Sequence, residues 1–353
     1  MSIGTAMELG IYTFGDIVPD PFTGHAPDQT ERMAQLIALG RLADELGLDV
    51  FGVGEHHTQD FVVSATATVL AAVAAVTTRI RLTSASTLIS TADPVRTFQE
   101  FATLDLVSRG RAELVFGRGA FTENFALFGH DQRDYDALFT EKIGLFEALN
   151  ASGRVTWKGR FRSALSDAVI APRPSQTRLP VSIGALSAGS IVRAARLGLS
   201  LAMPLLGGTL AGYAELARLY RHTWAEAGHD PEAARIAGYS HLHVAETSRA
   251  ARDDFYPYYT AYFAHLSGRG GIPRASFDAM AAPDGVLFTG SSQEVIDRIL
   301  RLREATGMTR YIGQIDIGGQ SHAAIARGLE RFALEVAPVI RRESAGADRH
   351  AAA

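Results

Sequence analysis

A glutamate and two histidines stand together in Gly52-Val53-Gly54-Glu55-His56-His57, directly after an apolar run that reads as a strand. Ionisable groups seldom close a buried strand unless its end opens into a pocket, and a histidine held there can serve as general acid or base near neutral pH. The alternative is a histidine pair satisfied by loop carbonyls, with Glu55 bridging to an arginine. A second group, Val115 to Phe121, sets Arg118 between two glycines, so backbone can approach a flat ligand beside a fixed cation. A third, Gly184-Ala185-Leu186-Ser187-Ala188-Gly189-Ser190, is a small-residue loop that runs into a helix. The first turn of such a helix offers free N–H groups and hydroxyls to an anion, most simply a phosphate, or else is a tight turn with a serine cap. The fourth is His241 with His243, an HxH whose side chains share one side of a strand. Together with Glu55, His56 and His57 they would suit a metal-dependent barrel hydrolase, although the first strand, Glu8 to Tyr12, carries no histidine.

The chain has 353 residues, 34 basic against 38 acidic, and a formal net charge of -4. No basic tail or stripe is available to pair with phosphates, so nucleic acid is not expected as a partner. The absence of cysteine excludes a disulfide scaffold, a thiolate metal site and a cysteine nucleophile. The first ten residues lack the basic and apolar regions of a signal peptide, and the most apolar stretch, Phe61 to Val76, is interrupted by Ser64 and threonines. A soluble, cytoplasmic protein without membrane contact is therefore expected.

Eight short apolar runs alternate with stretches of helical periodicity. The strands are Glu8 to Tyr12, Val50 to Gly54, Ile80 to Ser84, Ala112 to Phe116, Val181 to Gly184, Ser200 to Met203, Ile236 to Val244 and Tyr311 to Asp316. Runs that are continuously apolar, not alternating, are those of parallel strands covered on both faces. The pattern predicts an α/β fold of the (β/α)8 TIM-barrel type, with a doubly wound sheet as the alternative; the glycine fingerprint of the latter is missing from GIYTFGDIVPD, Gly10 to Asp20. Asp28 with Glu31 reads as a capping box that opens a helix, and Gly47 stands where a left-handed C-terminal residue is expected. Two segments break the rhythm: Arg154 to Pro180 after the fourth helix, and Arg249 to Gly290 after the seventh strand. The second, rich in aromatics and then glycine, lies where a barrel enzyme can carry a lid, or else is an aromatic helix packed on the barrel wall. One domain is expected over residues 1–343, followed by a polar, disordered tail at 344–353.

Taken in order, these pieces resemble the bacterial luciferase-like superfamily of flavin-dependent monooxygenases. The resemblance rests on LADELGLDVFGVGEHH (Leu42 to His57), TADPVRTFQEFATLDLVSRGRAELVFGRG (Thr91 to Gly119) and FTGSSQEVIDRILRLREATGMTRYIGQIDIGG (Phe288 to Gly319). It implies a barrel that takes reduced FMN at its mouth and reacts it with O2, through a flavin peroxide, to oxygenate a small apolar or aromatic organic substrate. His56 then matches the family's catalytic histidine, and His57 is structural. Ala85 and Ser86 fall where the family often has a non-proline cis peptide under the flavin ring. Arg118 and Phe121 match ring and phosphate contacts, with Phe121 where luciferase has a tyrosine. Gly184, Ser187 and Ser190 match the phosphate loop, with Leu186 where luciferase carries a glutamate. No nicotinamide fingerprint is present, so a separate NAD(P)H:flavin reductase is implied as partner. Hydride transfer with F420 is the alternative within the superfamily. A homodimer is implied by the same resemblance, and Phe14, Asp16, Phe61 and the aromatics of 249–290 are expected to wall the substrate pocket.

Overall fold

The computed structural model describes residues 6–119 and 123–351. In chain order the elements are β1 (Glu8–Thr13), α1 (Gln29–Glu45), β2 (Val50–Val53), α2 (Thr66–Ala75), β3 (Arg81–Ser84), α3 (Pro94–Ser108), β4 (Ala112–Phe116), α4 (Glu123–Leu127) and α5 (Tyr135–Ala151). There follow β5 (Arg154–Trp157), β6 (Leu165–Val169), β7 (Val181–Gly184), α6 (Ala188–Arg196), β8 (Ser200–Pro204), α7 (Leu210–Glu226), β9 (Ile236–Ala245), α8 (Ser248–Ser267) and α9 (Arg274–Met280). The last are β10 (Phe288–Ser291), α10 (Ser292–Thr306), β11 (Arg310–Gln314), α11 (His322–Arg331) and α12 (Ala337–Ala351).

Eight parallel strands close a ring in the order β1, β2, β3, β4, β7, β8, β9, β11 and back to β1, the (β/α)8 barrel expected from the pattern. Every residue of β2 and β4 is buried, because helices cover one face and the barrel interior the other. Helix ends follow local chemistry. The Asp28 carboxylate accepts from the Glu31 N–H at 2.8 Å, and Gly47, at φ 78°, ends the turn after α1. At the amino ends of the strands the barrel is plugged by charge: Glu113 accepts from Arg81 and Arg310. Burial opposes ionisation of Glu113, but Arg310 and Arg81 outweigh it and hold the carboxyl down at about 2.

The two excursions have distinct structures. Residues after α5 form the antiparallel hairpin β5–β6. After β9 come α8 and α9, and Phe255, Tyr259, Tyr262 and Phe277 from these helices join Val18 and Ile317 in an apolar cluster of their own. Strand β9 is ten residues long; its second half passes beyond the ring, where Leu242 to Ala245 pair with β10. The chain from Ser344, expected as a disordered tail, instead continues α12 to Ala351. Ser344 is buried, and its hydroxyl accepts from the Met7 N–H at 3.0 Å, which ties this helix to the entry of β1. Among the described residues no helix is long and apolar enough to cross a membrane.

Candidate functional site

Residues at the carboxyl ends of seven barrel strands converge on a cavity of about 230 Å3, and its walls are mostly apolar. Tyr12 and Tyr239 face it from β1 and β9, and Leu206 borders it beyond β8. Ala85 and Ser86 form one side, and the peptide between them is cis. Gly117 packs against this side so closely that a Cβ there would collide with the Ser86 hydroxyl, which is why glycine is required next to Arg118. Gly184 ends β7 and lines the cavity next to Gly117.

The Glu55-His56-His57 group divides by role. The Glu55 carboxylate binds the His57 ring at 2.8 Å with one oxygen and accepts the Leu88 N–H at 2.9 Å with the other. That pair pins the β2 loop to the β3 loop. His56 turns into the cavity. Its ring lies between Phe61, stacked at 4.1 Å, and Phe14, edge-on at 4.6 Å. Phe61 is held there by a β-bridge to Asp16 and by the Ile17 N–H donating to the Asp60 carbonyl at 2.7 Å. Burial, and secondarily His57, push the His56 imidazole down to about 4, so the ring is neutral at physiological pH.

At the α6 end of the cavity a second cluster assembles. Ser187 caps α6, its hydroxyl accepting from the Ser190 N–H at 3.3 Å and donating to the Ser190 hydroxyl at 3.0 Å. Arg118, from the β4 loop, lies 3.9 Å over the Tyr135 ring and reaches Asp136 at 3.3 Å. Arg193, one turn into α6, reaches the same Asp136 oxygen at 3.7 Å. Two guanidinium groups thus share one exposed carboxylate, and both Arg118 Nε and Arg193 Nη1 are buried without a partner. A net positive charge with unsatisfied donors beside the start of a helix suits a bound dianion. Leu186 is exposed beside this loop, and Phe121 lies outside the described residues.

Arg193 and Asn124, which also lines the cavity, were not singled out from the sequence. Arg193 sits three residues after Ser190, so helical spacing from the serine cap would have found it. Of the expected wall residues Phe14 lines the cavity, whereas Phe61 backs the His56 ring and Asp16 does not wall the cavity. Asp16 is buried beside Arg32 and Asp316, accepts from the Gly318 N–H at 3.4 Å, and burial followed by the nearby Asp316 raises its carboxyl to about 7. The aromatics of α8 pack instead into the separate apolar cluster they form with α9.

His241 and His243 are not brought together with the Glu55 group. The His241 ring bonds the Tyr259 hydroxyl at 3.2 Å, and His243 stacks on Phe255 at 4.7 Å. Among the described residues no three metal-ligating side chains gather. Burial lowers both histidines to about 4, so the fold holds them neutral where the unfolded chain protonates them. Each should therefore withdraw up to about 1.4 kcal/mol of stability per pH unit as pH falls from about 6.5 towards 4. Chemical denaturation at about pH 7 and about pH 5 should show this loss, and His243→Phe, which keeps the stack, should reduce it. An unchanged pH dependence in that variant would contradict the neutral, buried state of His243.

The sequence profile of the luciferase-like monooxygenase family matches residues 7–310. The oxygenase component of the flavin-dependent trigonelline monooxygenase of Acinetobacter baylyi is 27% identical over 92% of this chain and 94% of its own. The alkanal monooxygenase alpha chain of Photorhabdus laumondii is 30% identical, over 57% of this chain and 56% of its own, so the match spans little more than half of that relative. In fold, the monooxygenase RslO1 of Streptomyces bottropensis superposes with a TM-score of 0.84 at 24% identity, over 94% of this chain and 99% of that one. With a parallel eight-stranded barrel and a family match over most of its length, the chain belongs to the luciferase-like monooxygenase family.

Proposed function

We propose that this protein is an FMN-dependent monooxygenase that takes reduced flavin from a separate reductase and oxygenates a small apolar or aromatic substrate. The observation that carries the reading is the pairing of an apolar cavity with partnerless donors of Arg118 and Arg193 at the start of α6. A flavin mononucleotide needs both, a flat apolar slot for its ring and a cationic pocket for its phosphate. Ala85, Ser86 and Gly184 would hold the ring, Arg118, Arg193, Ser187 and Ser190 the phosphate, and Leu186 would give the connecting chain an apolar contact. Reduced FMN, when bound, supplies the electrons that activate dioxygen.

The chain's own residues then do three things. Phe14 and Leu206 line the cavity that His56 enters and Phe61 backs its ring, which selects an apolar substrate and excludes water. The neutral His56 ring can accept a proton at an imidazole nitrogen, and its aromatic sandwich fixes where that nitrogen points. Helices α8 and α9 serve as a lid over the mouth. The A. baylyi relative is named as an oxygenase component, which supports supply of reduced flavin by a second protein.

Anaerobic titration with reduced FMN, followed by oxygenated buffer, tests the assignment. Tight binding and slower reoxidation than free reduced FMN are expected. Failure to bind reduced FMN, with reduced F420 bound in its place, would replace oxygenation by hydride transfer. Stoichiometric zinc in the purified protein would count against both.

A further inference from the structure

A second cavity, of about 150 Å3, lies between the start of α3, the middle of α5 and the loop joining β5 to β6, and shares no lining residue with the first. Lys142 forms part of its wall, although the residue is only 5% exposed. The ammonium donates to the Ser90 carbonyl at 2.7 Å and to His130 Nε2 at 3.1 Å, both uncharged acceptors. The two acidic residues of the same wall are occupied elsewhere. Asp93 caps α3 through the Val95 and Arg96 N–H groups and holds Arg162 Nε at 3.2 Å, while Glu141 accepts the Arg160 and Phe161 N–H groups at 2.7 and 3.0 Å. Arg162 brings a second cation to the cavity, and its Nη1 is buried without a partner.

A buried ammonium whose hydrogen bonds go only to uncharged acceptors is costly, and a partly polar space beside it and beside the partnerless Arg162 Nη1 is where a counter-ion can sit. We propose that this cavity is a binding site for a small oxyanion, held between Lys142 Nζ and Arg162 Nη1 and separate from the flavin phosphate position. Its volume admits inorganic phosphate or a short dicarboxylate. Burial pushes the Lys142 amine down to about 8, against the pull of Asp93 and Glu141, so a bound anion would further favour the charged form of the amine. The site adjoins two of the segments that border the main cavity. Thr91 lies three residues after Leu88, and the His130 N–H donates to the Phe125 carbonyl at 2.7 Å, next to Asn124.

The test exploits composition, since Lys142 and Lys158 are the only lysines in the chain. In the full-length protein with 13C-labelled lysine, two ε-methylene signals are present, and Lys158→Arg, at an exposed position, assigns them. Sodium phosphate and sodium succinate are titrated separately against sodium chloride of equal ionic strength, with FMN present to fill the other phosphate position. The Lys142 signal should move saturably with one or both oxyanions while Lys158 stays still, and Arg162→Met should weaken that binding about tenfold. The two arms tell a phosphate site from a carboxylate site. Both lysine signals moving in step with chloride, a Lys142 signal that ignores both oxyanions, or a saturable shift untouched by Arg162→Met would each overturn the proposal.

Discussion

Replacing His56 with alanine is expected to lower product formation by about 10² to 10⁴, the range spanned by a positioned general acid or base, while reduced FMN binds as before. The separation follows from geometry. His56 is held by Phe14 and Phe61, whereas Arg118 and Arg193 are held at Asp136, so loss of His56 removes a proton acceptor and leaves the phosphate donors in place. Its imidazole is pushed down to about 4, so it is unprotonated over the whole working range. The pH–rate profile between about pH 5.5 and 9 should then show no ionisation belonging to His56. A limb near pH 6.5 that vanishes in the alanine variant would show that the ring titrates normally and that burial does not govern it. His56→Asn separates the remaining roles, because the amide donates and accepts hydrogen bonds but does not carry a proton at these pH values. Activity in the asparagine variant close to that of the unaltered protein would sink proton transfer in favour of hydrogen bonding alone.

The barrel was legible because its strands are buried on both faces, and runs such as Val50-Phe51-Gly52-Val53 and Ala112 to Phe116 admit no periodicity except continuous burial. What was not legible lacks that signal. Strand β10, Phe-Thr-Gly-Ser, exists because β9 overruns the ring and offers it an edge, a tertiary fact with no local trace. In the β5–β6 hairpin, Leu165 to Val169 has no buried residue, so no apolar face announces it. Ser344 reads as the polar start of a tail until the Met7 N–H, 337 residues away in sequence, is found to donate to it. The site divides in the same way. Glu55, His56 and His57 could be read from their place at a strand end, since chemistry there is local. The cationic cluster could be read only in part, because it joins Arg118, Asp136 and Arg193 from three separate segments that meet only when the barrel closes. Asp16 was misassigned for the converse reason. A carboxylate on a loop at the barrel mouth suggests a pocket wall, but Arg32 and the Gly318 N–H draw it inward.

Arg193→Ala should weaken FMN binding by about 10- to 100-fold and leave riboflavin binding nearly unchanged. A hydrogen bond to a charged group contributes about 1.5–3 kcal/mol, and each 1.4 kcal/mol is a tenfold change in Kd. The guanidinium is suited to this because it is already placed by the Asp136 pair and by the Phe139 ring 5.6 Å away, so little ordering is needed when a dianion arrives. Arg118→Ala should act in the same direction, and the double variant should lose less than the sum, since the two guanidinium groups share Asp136 and would share the phosphate. Asp136→Asn gives the opposite sign. Removing the carboxylate that now competes for both arginines should tighten FMN binding, more so at low salt because the residue is exposed. Isothermal titration with FMN and riboflavin on these four variants reads all of this. Equal losses for FMN and riboflavin would mean that Arg193 supports the fold of the loop and does not bind the phosphate. Weaker FMN binding in Asp136→Asn would show that the carboxylate positions the arginines and does not compete with the ligand for them.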